Sequence, residues 1–156
     1  MSQALPPETA RAYTPPNVRQ FSVFLDNKVG KLLALVRLFD EASDVHLCSL
    51  AVQESAEYGV IRIIPSNADA ARALLRAHGL SFSELDLLIV ELCGHHSLTS
   101  MCLCLLGAEL NIRFAYPLML APNSAPTIAL AVDDLYLAGQ LLRRKSFRLL
   151  GEGDLP

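Results

Sequence analysis

A short polar turn, Asp26-Asn27-Lys28-Val29-Gly30, is the segment best suited to hold a small charged ligand. A glycine at the start of the following helix lets a ligand approach the backbone closely. The free N–H groups of Gly30, Lys31 and Leu32 would point out of the helix N-terminus, where they attract an anion such as a carboxylate. The Asn27 amide both donates and accepts, so it could hold a carboxylate or an ammonium group. An Asx-turn that merely ends a strand is the alternative interpretation.

A second group of candidate residues lies in Cys93-Gly94-His95-His96-Ser97, where cysteine and histidine occur together. Thiolate and imidazole are the usual zinc ligands. Cys102 and Cys104 follow, but two residues apart on a helix they project in widely different directions and cannot share one ion. The sequence therefore predicts no resident metal. A weak site made by Cys93 with one or both histidines stays open as an alternative.

Catalytic patterns are missing from the sequence. Cys93 lies close to a predicted helix start, but no acid or recognisable signature accompanies it. Asp133 and Asp134 are best explained as residues that cap a helix. There is no glycine-rich phosphate loop and no nucleophile elbow. We therefore predict that the chain is not an enzyme and carries no cofactor.

Composition excludes several classes of partner. The chain has 156 residues, a net charge of −3, 19% charged residues and 6% aromatic residues, which argues against a nucleic-acid-binding surface. The most apolar segments, Leu85 to Leu92 and Met101 to Leu106, are far shorter than the roughly 20 residues that span a bilayer.

Residues 1–17 read as a flexible, proline-rich leader rather than a secretion signal. The four cysteines lack a disulfide framework, so we expect reduced thiols packed as small apolar side chains in a cytoplasmic protein.

The periodicity of the chain predicts a repeated order of strands and helices. In residues 18–84 the pattern gives a strand at 19–25, a helix from Leu32, strands at 45–53 and 58–64, a helix ending at His78-Gly79 with Ser66 or Asn67 as N-cap, and a short strand at 81–84. Residues 85–152 repeat this order. The second set comprises strands at 87–92, 110–120, 127–132 and 147–150, with helices at 98–106 and 135–145.

Corresponding landmarks of the two halves lie at a nearly constant offset. Leu98 matches Leu32, and Asn111 matches His46. The offset is 66 residues for the first pair and 65 for the second. A repeat of this length is too long for a solenoid module. It predicts an α+β protein made of two ferredoxin-like βαββαβ units, each an antiparallel sheet with its helices on one face.

The first unit resembles an ACT domain. The resemblance rests on Phe21-Ser-Val-Phe-Leu-Asp-Asn27-Lys-Val-Gly30-Lys-Leu32, on Val45-His-Leu and on the hairpin residues Tyr58-Gly59-Val60. The usual ACT pattern has a strand ending in Glu-Asn-Lys-Pro-Gly and Gly-Ile-Asn-Ile entering the second strand. Here Asp26 replaces the glutamate, Val29 the proline and His46 the asparagine. In the second unit Leu110-Asn111-Ile112 keeps the asparagine, whereas the Cys93 to Ser97 turn departs from the pattern.

The resemblance implies that the units pack side by side and hold a small ligand, commonly an amino acid, between the first turn of one unit and the second strand of its neighbour. Applied here, it pairs the Asn27 turn with Asn111, and His46 with the turn containing His95, His96 and Ser97. The first pairing keeps the polar groups of the family. The second pairing lacks the turn asparagine.

The predicted partners are a free amino acid or similar zwitterion, a second copy of the chain in a homodimer, and a metabolic enzyme. Two other functions remain open: a metal-handling protein that uses Cys93, His95 and His96, and a ligand-free assembly module that pairs through its sheet edges.

Overall fold

The computed structural model describes residues 15–26, 29–54 and 58–156, and they form two α/β units joined in one sheet. The elements are β1 (Val18–Asp26), α1 (Lys31–Glu41), β2 (Leu47–Glu54), β3 (Tyr58–Pro65), α2 (Ala68–Ala77), β4 (Ser81–Glu91), α3 (Leu98–Leu106), β5 (Ile112–Pro117), β6 (Thr127–Val132), α4 (Leu135–Arg144), β7 (Arg148–Leu150) and a 3-10 turn (Glu152–Asp154). Among the described residues, no helix is both long enough and apolar enough to cross a bilayer.

One strand, β4, belongs to both units. Its first part pairs with β1, from Ser81 opposite Phe24 to Leu87 opposite Val18. Its last part, Leu88 to Glu91, pairs with β6, and β7 pairs with the same end. The prediction of separate strands at 81–84 and 87–92 is therefore wrong, because Leu85-Asp86-Leu87 offers no glycine or proline to break the strand. The sheet runs in the order β2-β3-β1-β4-β6-β5.

The four α-helices of the described residues pack on the same face of this sheet. Side chains alternate between the two faces of a strand. In β4, Phe82 packs into the core beneath α1 and α2, while Leu88 and Val90 lie in the core beneath α3 and α4. These three positions are even-numbered and share a face. The predicted pair of ferredoxin-like units, side by side with antiparallel strands and helices on one face, is confirmed.

The opposite face of the sheet is concave, and apolar side chains of the two units pack against one another across it. Leu87 and Ile89 of β4 join Cys48 and Ile64 of the first unit and Ala129 of the second in one core cluster. The two outer strands meet as the sheet curls. The Met119 N–H donates to the Cys48 carbonyl at 2.9 Å, and the Ser49 hydroxyl donates to the Pro117 carbonyl at 2.7 Å. This contact covers part of both sheet edges.

Local capping explains where the helices begin. The Asn67 side chain accepts from the Ala70 N–H at 3.1 Å, and the Asp134 side chain accepts from the Leu137 N–H at 3.0 Å, as predicted for both residues. The predicted strand at 110–120 is shorter in the structure, because it is interrupted by a bulge near its start and ends at Pro117, which has no N–H to donate.

The cysteines differ from the sequence prediction. Cys48 alone is buried, and burial raises the pKa of its thiol to about 11. Cys93 and Cys102 are exposed, and Cys104 is half-buried. The expectation that all four pack as core side chains is wrong, because α3 buries Met101 and Leu105 and turns Cys102 outward.

A substitution at Gly139 tests how Pro15 packs against helix α4. Pro15 is buried there, and a Cβ at position 139 would lie 2.5 Å from two carbon atoms of its ring. Alanine favours a helix over glycine by about 1 kcal/mol, but overpacking costs about 1–3 kcal/mol. We expect Gly139→Ala to lower the free energy of urea unfolding, whereas Gly153→Ala, which enters open space, leaves it nearly unchanged. A net stabilisation by Gly139→Ala would contradict this packing.

Candidate functional site

The turn between β1 and α1 opens into a cavity of about 350 Å³, here called the turn cavity. Its lining residues come from β1, α1 and the turn between α2 and β4: Phe24, Leu25, Asp26, Lys31, Ala34, Leu35, Leu38, His78, Gly79, Leu80 and Ser81. Gly30 has φ of 88°, in the left-handed region that favours glycine, and it starts α1 without a side-chain cap. Val29 and Leu32 are exposed beside it. Asn27 and Lys28 lie outside the described residues.

The polar groups of the turn cavity carry both signs of charge. Among the described residues that line it, Asp26 is the only one with a carboxylate and Lys31 the only one with an ammonium group. Because no described side chain caps the first turn of α1, its backbone N–H groups remain available to an anion. The His78 Nδ1–H donates to the Leu74 carbonyl at 3.0 Å. The cavity therefore offers an anion for an ammonium group and a cation with N–H donors for a carboxylate.

The corresponding turn of the second unit is closed by its own side chains. The Ser97 hydroxyl accepts from the Ser100 N–H at 3.1 Å, and the Ser100 hydroxyl accepts from the Ser97 N–H at 2.8 Å. This capping box occupies donors that α1 leaves open. The two turns, related by the repeat, therefore differ in how the described side chains cap the helix that follows.

His95 and His96 stack beside this second turn. Their ring centroids lie 4.5 Å apart, and the His96 ring lies 4.3 Å from that of Phe147. The His96 Nε2–H donates to the Lys145 carbonyl at 3.1 Å. Among the described residues, no group of three or more histidine, cysteine, aspartate or glutamate side chains could hold a metal ion. The packing of the histidines supports a structural role.

Asn111 lies in a different place from the turn cavity. With Leu110 and Ile112 it borders an apolar groove of about 560 Å³ along α3, lined otherwise by Leu98, Thr99, Cys102, Leu103, Leu105 and Leu106. Every lining residue of this groove belongs to the second unit. Within one chain, the described neighbours of Asn27 and Asn111 therefore line separate cavities.

His46 is likewise apart from the histidine turn. It is exposed, and its backbone N–H donates to the Ser66 hydroxyl at 3.0 Å. It does not line the cavity of about 380 Å³ that His95 and His96 border.

Two residues that line the turn cavity, His78 and Ser81, were not predicted from the sequence. Only the sheet order places the start of β4 beside the end of β1.

Comparison with known proteins agrees with this architecture. The sequence model of the family described as "ACT domain pair" matches residues 16–130. This chain is an ACT domain pair. The family resemblance drawn from the Asn27 turn is thus confirmed. ACT domains are regulatory modules that bind small ligands such as amino acids and often regulate enzymes.

Solved structures show the same fold. The crystal structure of protein BT0572 from Bacteroides thetaiotaomicron has a TM-score of 0.79 at 22% identity, covering 90% of this chain and 96% of that one. The ligand-free regulatory subunit of aspartate kinase from Thermus thermophilus has a TM-score of 0.53 at 11% identity, covering 85% and 92% of the two chains. No curated protein matches the sequence.

An ion network joins the first ACT unit to the shared strand on the helix side of the sheet. Glu84 of β4 accepts from Arg19 of β1 at 2.7 Å and from two nitrogens of Arg72 on α2 at 2.7 and 2.9 Å. Arg19 also donates to Asp86 at 2.6 Å. Hydrogen bonds from Arg72 first, and then from Arg19, lower the pKa of Glu84 from 4.5 to about 2.

This pKa shift predicts a pH dependence of stability. Because the folded pKa of Glu84 is below its unfolded value, its stabilisation is complete above about pH 4.5 and is lost as the pH falls towards 2. We expect the gap in unfolding free energy between the wild type and Glu84→Gln to shrink over that interval. Denaturant titrations at several pH values measure it. The exposed Glu41→Gln should show no such change, and a constant gap for Glu84→Gln would contradict the network.

Proposed function

We propose that this ACT domain pair binds a free amino acid or a similar small zwitterion in the turn cavity. The observation that carries the proposal is the placement of Asp26, Lys31 and the uncapped start of α1 around one cavity. The ammonium group pairs with the Asp26 carboxylate. The ligand carboxylate binds the N–H groups of Lys31 and Leu32, with the Lys31 ammonium beside it. Asn27 adds a hydrogen bond.

A second copy of the chain completes the site in this proposal. The family arrangement places a second-strand asparagine opposite the turn, but Asn111 and the turn cavity are separate within one chain. Exposed apolar side chains surround the Asn111 groove: Leu98, Leu103 and Leu106 are 52%, 62% and 69% exposed. Exposed apolar patches of this kind often mark protein interfaces. A homodimer that covers them can bring Asn111 of one protomer to the turn of its partner.

Regulation follows from where the ligand sits. A ligand that contacts two protomers favours their association by its difference in affinity for the paired and separate states, typically about 1–3 kcal/mol in allosteric systems. A metabolic enzyme is the class of protein that such a sensor would control. We assign the chain no catalytic step of its own.

A thermal-shift screen of the twenty amino acids tests the proposal. At least one should raise the Tm in a concentration-dependent way, because a ligand that binds only the folded state stabilises it by mass action. Lys31→Gln should reduce the shift. Arg37→Gln, an exposed substitution on the same helix, is the matched control and should keep it.

The screen also separates the alternative functions. An assembly module would dimerise by analytical ultracentrifugation and yet respond to no amino acid. A metal-handling protein would contain stoichiometric zinc or copper by elemental analysis and lose it in Cys93→Ala. Either result, with no amino acid response, overturns the proposal.

A further inference from the structure

A small polar cavity lies on the concave face of the sheet, opposite the helices. It has a volume of about 240 Å³ and is here called the arginine cavity. Strands β1, β3, β4 and β5 form it, so both ACT units contribute. Its lining residues are Gln20, Ser22, Arg62, Ser83, Glu84, Leu85, Arg113 and Phe114. None of them lines the turn cavity.

Two arginines border this cavity with few partners. Arg62 stacks its guanidinium 4.1 Å from the centroid of the Phe114 ring and donates to the Gln53 side chain at 2.9 Å. Its buried Nε has no hydrogen-bond partner among the described residues. Arg113 lies at the bulge near the start of β5, and the described part of the chain gives it no ion pair. Bulges commonly redirect a side chain beside a functional site.

The acidic residue nearby does not balance these charges. Glu84 borders the cavity, but both of its carboxylate oxygens already accept hydrogen bonds from Arg19 and Arg72 on the helix side. Two guanidinium groups therefore face one small space without a carboxylate of their own. A buried N–H without a partner is uncommon in proteins and is costly.

Two of the remaining polar side chains, Gln20 and Ser22, are held in place by hydrogen bonds. The buried Gln20 accepts from the Tyr116 hydroxyl at 2.6 Å and donates to the Ser22 hydroxyl at 3.2 Å. Burial raises the pKa of Tyr116, so the phenol stays protonated as the donor. Ser22 and Ser83 add hydroxyl donors to the guanidinium groups. Donors that are fixed in place before binding lose little entropy when a ligand arrives.

We propose that the arginine cavity binds a compact oxyanion, namely a carboxylate or phosphate group of a small metabolite, between Arg62 and Arg113. Guanidinium groups suit such oxyanions because their N–H donors match two oxygens at once. The volume lies below the roughly 300–1,000 Å³ of pockets for drug-sized ligands, which restricts the site to a small molecule. Because Arg62 belongs to the first unit and Arg113 to the second, the bound anion holds the two ACT units together.

Titration of the full chain with inorganic phosphate and with malonate, each compared with chloride at equal ionic strength, tests this site. The two arms distinguish phosphate from carboxylate recognition. Binding is read from the Tm and from calorimetry. Arg62→Gln and Arg113→Gln should each raise the apparent Kd at least tenfold for the probe that binds. Arg76→Gln, an exposed arginine on α2, is the matched control and should leave the Kd unchanged.

Lys31→Gln separates this site from the proposed amino acid site. It should keep the anion response, whereas Arg113→Gln should keep the amino acid response. The inference is overturned if neither probe exceeds chloride, or if Arg113→Gln and Arg76→Gln respond alike. It is also overturned if Lys31→Gln abolishes the anion response while both arginine variants retain it, since the anion would then bind at the start of α1. Arg113 is exposed at the sheet edge, so its variant stays informative even if Arg62→Gln unfolds.

Discussion

Leu88→Ala is expected to destabilise both ACT units together, lowering the free energy of unfolding by about 2–5 kcal/mol. Leu88 is fully buried, lies beneath α3 and α4, and pairs with Leu130 of β6. The same strand carries the pairing with β1 that completes the first unit. Destabilisation of the second half of β4 should therefore also destabilise the first ACT unit, because both units depend on this strand.

Hydrogen exchange measures this coupling residue by residue. In Leu88→Ala, protection should fall by the same free energy in β3, which belongs to the first unit, and in β6, which belongs to the second. The control is Leu33→Ala, which removes a leucine that is 54% exposed on α1 and should cost well under 1 kcal/mol. If β6 loses protection while β3 keeps it, the units unfold independently and the shared strand does not couple them.

Asp26→Asn is expected to weaken binding of the amino acid found in the thermal-shift screen by about 30- to 300-fold in Kd. The substitution keeps the shape of the side chain and removes the one negative charge that the described part of the chain places in the lining of the turn cavity. Truncating one partner of a close charge pair commonly costs about 2–5 kcal/mol. The lower half of that range applies here, because Asp26 is exposed before a ligand binds.

Calorimetric titration gives the Kd values, with Asp40→Asn as the matched control. Asp40 is an exposed aspartate on α1 that does not line the cavity. Both variants should unfold at nearly the wild-type urea concentration. An unchanged Kd in Asp26→Asn would place the ammonium group of the ligand elsewhere.

Local signals made most of the fold predictable. Asn67 and Asp134 cap their helices as expected, because a cap depends only on residues within one turn. The turn at Gly30 is recognisable for the same reason, because glycine adopts the positive φ of this position without steric cost. The continuous β4 was missed although Leu85-Asp86-Leu87 contains no turn residue, because two short strands and one long strand have the same alternation.

The arrangement of the sites depends on contacts between distant parts of the chain. The curl of the sheet rests on pairs such as Ser49 with Pro117, 68 residues apart, and no periodicity encodes it. That curl brings Arg62 and Arg113 to one cavity. The separation of Asn111 from the turn cavity has the same origin, because strand order decides which turns become neighbours.

Backbone amide shifts test the central claim most directly. In a two-dimensional ¹⁵N–¹H spectrum of the chain titrated with the amino acid that raises its Tm, the amides of Gly30, Lys31 and Leu32 should move most and saturate with the calorimetric Kd. Saturable shifts confined to other residues, with these three amides unmoved, would contradict an amino acid site at the start of α1.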